Sequence, residues 1–138
     1  MDDIDKIILM SLIRNGRTTK MQLAKMLNIT ETAVRKRVRK LEDRGILVGY
    51  RAVVDYQKAG LIASITGVDT EPDKLWSVIE KIKRIGDVKS ISLTSGDHMI
   101  MLEIVAEDIE QLKKVHREIE TLKGVVRVCP AIILKKIE

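Results

Sequence analysis

The chain has 138 residues, 45% of them apolar and 33% charged, with 25 Lys plus Arg against 20 Asp plus Glu, one Cys, one Trp, two Tyr and no Phe. That length holds one ordinary domain or two small ones, and the composition disfavours disorder, collagen-like repeats and low-complexity linkers. Apolar runs fall far short of the roughly 20 residues of a membrane-spanning helix. A single Cys leaves no intrachain disulfide, and Asp2, Asp3 and Asp5 directly after Met1 are unlike a signal peptide. Together these features predict a reduced, cytoplasmic protein with no membrane partner.

The first helix is predicted from Ile4, Ile7, Ile8 and Leu12 at helical spacing after an acidic start, ending at Asn15-Gly16. Thr19-Lys20-Met21-Gln22 has the form of a capping box, opening a second helix over about 20–27 whose apolar side is Leu23, Ala24 and Leu27. Thr30 then caps a third helix with Val34, Val38 and Leu41 on one side and Gly45 as terminator. Two short helices joined by a tight turn, the second one basic, describe a helix-turn-helix.

Charge singles out the same stretch. Residues 1–50 hold 11 Lys plus Arg and 6 Asp plus Glu, whereas 51–138 hold 14 of each, so the whole excess of +5 lies in the first third. Summed basic charge of this kind attracts polyanions, here double-stranded DNA, although a short basic helix is also often only a solvated face. With Val34 set at zero and about 100° per residue, Thr32, Lys36, Arg39 and Asp43 fall on the side away from the core. Glu31, Thr32, Ala33 and Lys36 at the start of the helix are the candidates for reading base edges, with Thr30 at the cap. Arg35 on the flank, Arg39 and Lys40 are the candidates for phosphate. Arg37 points nearer the core, where a pair with an acid of the first helix is at least as good a reading. Ile46–Val54, with Val48, Tyr50, Val53 and Val54, is expected to be a strand or wing.

Residues 12–55 resemble the N-terminal domain of the Lrp/AsnC family, the feast/famine regulatory proteins. The match is carried by Gly16-Arg17, Leu23-Ala24, the run Arg37, Leu41-Glu42, Gly45-Ile46 and the Gly49-Tyr50 step.

The remainder reads as strand 61–68, a helix through Leu75, Val78, Ile79, Ile82 and Ile85 closed by Gly86, strands 88–94 and 99–105, a helix through Ile109, Leu112, Val115, Ile119 and Leu122 closed by Gly124, and strand 125–134. An offset of 37 carries Ile62, Ile65 and Val68 onto Met99, Leu102 and Val105, and the apolar positions of the first helix onto the second. The predicted fold class is therefore α+β: a winged helix-turn-helix over 1–50, a connecting segment over 51–60, and a ferredoxin-like βαββαβ domain over 61–138. In the Lrp/AsnC family that second domain binds effector and assembles the oligomer, so the resemblance covers nearly the whole chain. Ile62, Ser64, Thr66, Ile91, Leu93, Ile100, Leu102, Ile104, Ile132 and Leu134 are expected to supply both faces of the sheet, and a partner sheet to cover the bare one. The family implies a homodimer that assembles into higher oligomers.

The resemblance places an amino-acid effector near the turn between the second and third strands, helped by threonines of the last strand. Here the turn is Gly96-Asp97-His98-Met99, with Met99 in place of the usual second acid, and the threonine positions are Val128 and Pro130. These departures leave an altered small-molecule effector and no effector as equal alternatives, and Gly96-Asp97 is also a good hairpin turn in its own right. His98, His116 and Cys129 show no metal-ligand spacing, and no nucleophile motif or phosphate loop occurs. The expectation is a sequence-specific transcription regulator, not an enzyme, with no cofactor beyond a small-molecule effector. The rivals are an effector-independent architectural DNA-binding protein of the same fold and a siroheme decarboxylase-like subunit. The last would have to use His98, His116, Arg51, Arg84, Arg117 and Arg127.

Overall fold

A computed structural model of the chain describes residues 1–137. It forms two compact units, Met1–Val53 and Val54–Glu138.

The first unit contains α1 (Asp3–Arg14), α2 (Lys20–Leu27) and α3 (Glu31–Asp43). Each start is a side-chain cap. Asp2 and Asp5 exchange a capping box on α1, Thr19 and Gln22 do the same on α2, and Thr30 accepts from the Ala33 amide on α3. The stops are equally local, with Asn28 left-handed after α2 and Gly45 left-handed beyond α3. Ile8, Leu23, Ala24, Val34, Val38 and Leu41 form the core, with Ile4, Leu9, Leu12, Leu27, Ile29 and Leu47 packed against it. Ile7, expected on the buried side of α1, is exposed instead.

The strand expected over Ile46–Val54 does not form. The amides of Ile46 and Leu47 both donate to the Leu41 carbonyl, so the chain folds back on α3 and Leu47 enters the core. Beyond it Val48 and Val53 are exposed, and a strand needs a ladder partner that this segment does not meet within one copy.

The second unit opens with a short helix absent from the sequence reading, α4 (Tyr56–Ala59), capped by Asp55 and closed by left-handed Gly60. Then follow β1 (Ile62–Thr70), a 3₁₀ turn over Pro72–Lys74, α5 (Leu75–Ile82), β2 (Val88–Leu93), β3 (Ile100–Ala106), α6 (Ile109–Glu120) and β4 (Val125–Ile132). The sheet order β2-β3-β1-β4, antiparallel throughout, is the ferredoxin-like arrangement predicted. Both helices pack on one face over Val68, Ile100, Leu102, Ile104 and Ala106. Trp76 on α5 is 66% exposed and takes no part in that core.

Register corrects how the strand residues are distributed. Opposed residues share a face, and Ile62, Ser64, Thr66 and Val68 oppose Ala106, Ile104, Leu102 and Ile100. Ile91 opposes Leu102, Leu93 opposes Ile100 and Ile132 opposes Ser64. Nine of the ten residues assigned to both faces therefore lie on the helix-covered one, and Leu134 lies beyond β4. The open face carries Ala63, Ile65, Gly67 and Asp69 of β1, Met101, Glu103 and Val105 of β3, Ser90 and Ser92 of β2, and Arg127, Cys129 and Ala131 of β4. The offset of 37 holds for the helices and fails in the strands for the same reason. It aligns Val78 with Val115 and Ile82 with Ile119, all buried, but pairs Ile65 of the open face with Leu102 of the covered one. A strand shifted by one residue turns every side chain over.

Candidate nucleic-acid interface

The turn between α2 and α3 is set by Asn28, whose φ of 55° makes it the one non-glycine residue in the left-handed region among those described. Its short polar side chain tolerates that conformation, and Thr30 then starts α3 with fixed direction. Val34, Val38 and Leu41 are buried, and Thr32, Lys36, Arg39 and Asp43 are all exposed or half-exposed on the other side, as the helical geometry predicts.

Two arginines in ion pairs organise the surface of α3. Arg37 Nη1 lies 2.7 Å from Asp2 Oδ2 and 3.2 Å from Asp5 Oδ1, so one guanidinium holds both members of the α1 capping box. The alternative reading of Arg37 as a structural pair with α1 is the one the structure has. Its hydrogen bond, with the Asp5 amide second, holds the Asp2 carboxyl below its ordinary value. Arg35 Nη2 lies 2.7 Å from Glu31 Oε1, one helical turn earlier.

Beside the first pair, a cleft of about 390 Å³ is lined by Asp2, Asp5, Ala33, Lys36, Arg37, Lys40, Leu41 and Arg44. Lys36, Lys40 and Arg44 follow one another at intervals of four, a row of cations along one flank of α3. Arg44 extends the set expected from the sequence, and its spacing of four from Lys40 is the signal that marks it. Tyr50, from the segment after α3, packs near Gly16, and burial followed by the Glu42 charge raises its pKa.

The residues named for an effector are not gathered by one copy. Gly96 and Asp97 sit in an exposed turn. The His98 ring lies over Gly67 on the open face, its Nδ1 2.9 Å from Asp69 Oδ2, while the Met99 amide donates to Asp69 Oδ1 at 2.9 Å. The bond from His98 holds the Asp69 carboxyl below its usual range, helped by the Met99 amide. Met99 and Val128 pack against the helix-side core instead. Pro130 borders a separate cleft of about 350 Å³ between α6 and β4, with Ile109, Leu112 and His116 among its walls.

Two features of this unit were invisible in the sequence. Asp69 ties the turn down from two sides, a role that no motif in the sequence marks. His116 is buried with Nε2 2.8 Å from Thr66 Oγ1 and 3.3 Å from Ser64 Oγ, the two hydroxyls being 2.9 Å apart. This polar cluster lies inside an otherwise apolar helix–sheet interface and leaves no buried side-chain polar atom unsatisfied among the described residues.

Residues 1–48 match the family model described as winged helix-turn-helix DNA-binding, and residues 63–138 match the Lrp/AsnC ligand binding domain. The chain is 48% identical over 140 residues to the HTH-type transcriptional regulator LrpA of Pyrococcus horikoshii, covering 100% of this chain and 99% of that protein. The chain belongs to the Lrp/AsnC family. Another relative is the HTH-type transcriptional regulator LysM of Sulfurisphaera tokodaii, 33% identical with 98% and 96% of the two chains covered. The crystal structure of the Mycobacterium tuberculosis leucine response regulatory protein superposes with a TM-score of 0.77 at 28% identity, covering 100% of this chain and 95% of that one. Like its Lrp/AsnC relatives, the chain is a DNA-binding transcriptional regulator. Among the described residues no helix is long and apolar enough to cross a membrane.

Proposed function

We propose that the protein binds a roughly palindromic DNA site as a homodimer, with α3 of each copy in a major groove, and that assembly through the second unit sets the half-site spacing. The observation that carries this reading is α3 itself, anchored by Val34, Val38 and Leu41 and displaying Lys36, Arg39 and Lys40 away from that core. Thr30 and Thr32 at its start and Glu31 beside them belong to the base-reading end, with Arg39 and Lys40 on phosphate. For the dimer, support comes from the open sheet face, where Ile65 is 48% exposed and Met101 and Val105 are half-buried. A second copy laid on that face would cover them.

Small-molecule control belongs to the turn Gly96–Met99. One copy leaves Gly96 and Asp97 exposed and turns Met99 and Val128 inward, so an effector there needs residues from a neighbouring copy. An effector-independent architectural role is the second reading, favoured by the engagement of Met99 in the core where the family places an acid. We assign the chain no enzymatic step. Both histidines that a tetrapyrrole would need are engaged, His98 with Asp69 and His116 with Thr66 and Ser64.

Selection of binding sites from genomic DNA with and without each amino acid tests the whole proposal. The expected result is a two-fold site with half-sites about 34–36 Å apart or a multiple of it. Binding to single half-sites with monomer stoichiometry would overturn the dimer. A site list unmoved by every amino acid would decide for the architectural reading, and an absorbance band on mixing with siroheme would revive the enzymatic one.

A further inference from the structure

We propose that Glu31 and Arg35 act as one unit that reads a G·C base pair in each half-site, in place of the phosphate role that its flank position predicts for Arg35. The inference rests on the placement of α3 in the major groove. Glu31 is the first residue of α3, and Thr30, accepting from the Ala33 amide, fixes the turn that carries it. Arg35 Nη2 is 2.7 Å from Glu31 Oε1, and the two side chains are 61% and 44% exposed, so the pair is formed but open to a partner.

The charge of the pair decides which partner fits. A guanidinium already held by a carboxylate is nearly neutral as a unit, and the carboxylate repels a phosphate brought to the same spot. The major-groove edge of a G·C pair instead offers two acceptors, guanine O6 and N7, beside one donor, the cytosine N4 amino group. Arg35 and Glu31 present the complementary set. One of the five guanidinium N–H groups is engaged by Glu31, leaving enough for two parallel bonds to O6 and N7, and the second carboxylate oxygen remains to accept from N4. Holding the guanidinium before contact also lowers the side-chain entropy lost on binding. Exposed pairs of this spacing add little to helix stability, so the bland reading of a solvated pair predicts that removing it changes almost nothing.

The test is selection from a randomised duplex library, with the salt dependence of binding measured on the selected site. It is run for the unmodified protein, Arg35→Ala, Glu31→Gln, and Glu80→Gln as a control that removes the acid of an exposed pair on α5. The expected motif has one strongly preferred G·C pair per half-site. Arg35→Ala lowers discrimination there roughly tenfold or more and leaves other positions and the salt slope unchanged. Glu31→Gln weakens preference at the same position and steepens the salt slope as Arg35 is released to phosphate. Glu80→Gln changes neither. A uniform loss across all sequences in Arg35→Ala, with the slope flattened by about one unit, or an identical motif in every variant, overturns the inference while leaving α3 as the DNA-contacting element. An unmodified protein that selects no motif would overturn the placement of α3 as well.

Discussion

Gly67→Ala tests whether the His98 ring is held on the open sheet face by the packing described above. Gly67 lies opposite Met101 on β3 and Cys129 on β4, and its φ is not in the left-handed region, so alanine suits the backbone. The obstacle is side-chain space, because an added Cβ falls well inside contact distance of the His98 imidazole. The ring must leave, and with it goes the 2.9 Å bond to Asp69. A hydrogen bond to a charged group is worth about 1.5–3 kcal/mol; with both side chains 18% exposed, about 1–2 kcal/mol is lost. Alanine in a strand returns about 0.5–1 kcal/mol relative to glycine. The net expectation is a loss of up to about 1.5 kcal/mol, or up to several degrees in melting temperature for a unit of this size. In a His98→Ala background the obstacle is gone, and the same substitution becomes neutral or stabilising by up to about 1 kcal/mol. Urea unfolding of the four proteins at one fixed concentration measures both arms. An equal loss in the two backgrounds would place the effect in the backbone and refute the reasoning, as would a gain while His98 is present.

Arg39→Ala is expected to weaken binding to all DNA sequences about equally and to flatten the slope of log K against log salt by about one unit, measured by fluorescence anisotropy on specific and random duplexes. Ile8 is fully buried in the small core of the first unit, so Ile8→Ala costs about 2–5 kcal/mol and abolishes DNA binding on warming before the second unit melts, as circular dichroism paired with a binding assay would show. Burial pushes His116 below its ordinary value of 6.5, against smaller opposing effects of the Leu112 carbonyl and Glu120. The unfolded chain therefore takes up the proton first, and stability of the second unit falls as pH drops below about 6.5, levelling off beneath the folded pKa. His116→Gln removes that component of the pH dependence of the urea midpoint. For Asp2 the native carboxyl titrates below 3.8, so its contribution is present above that value and lost as pH falls through the lower native pKa. NMR titration of Arg37→Ala should show Asp2 moving back up.

What the sequence made legible was local. Thr19, Gln22, Thr30 and Gly45 act within four residues of themselves, and the helix ends they predict are the ones found. Sheet faces were not legible, because Ser64 and Thr66 look solvent-facing until register places them under α6 against His116. The bulges between Val88 and Ser90 and at Asp69/Thr70 change the alternation without a mark in the sequence pattern. The segment after Gly45 misled for a related cause: β-branched residues favour a strand, but propensity supplies no partner for it. At the candidate interface the exposure of Lys36, Arg39 and Lys40 on α3 follows from helical spacing, while the engagement of Arg35 and Arg37 depends on the Glu31–Arg35 and Arg37–Asp2 distances, which no spacing rule contains.

The scarcity of aromatic residues has an optical consequence. Trp76 belongs to the second unit, and its high exposure means that unfolding changes its surroundings little. Tyr50 belongs to the first unit and Tyr56 to the second, where the Lys136 ammonium stands 5.7 Å from the ring centroid. Tryptophan emission is thus blind to melting of the DNA-reading half, and a tryptophan placed in that half, at the half-buried position of Leu47 for instance, would report that transition against the nearly constant signal of Trp76.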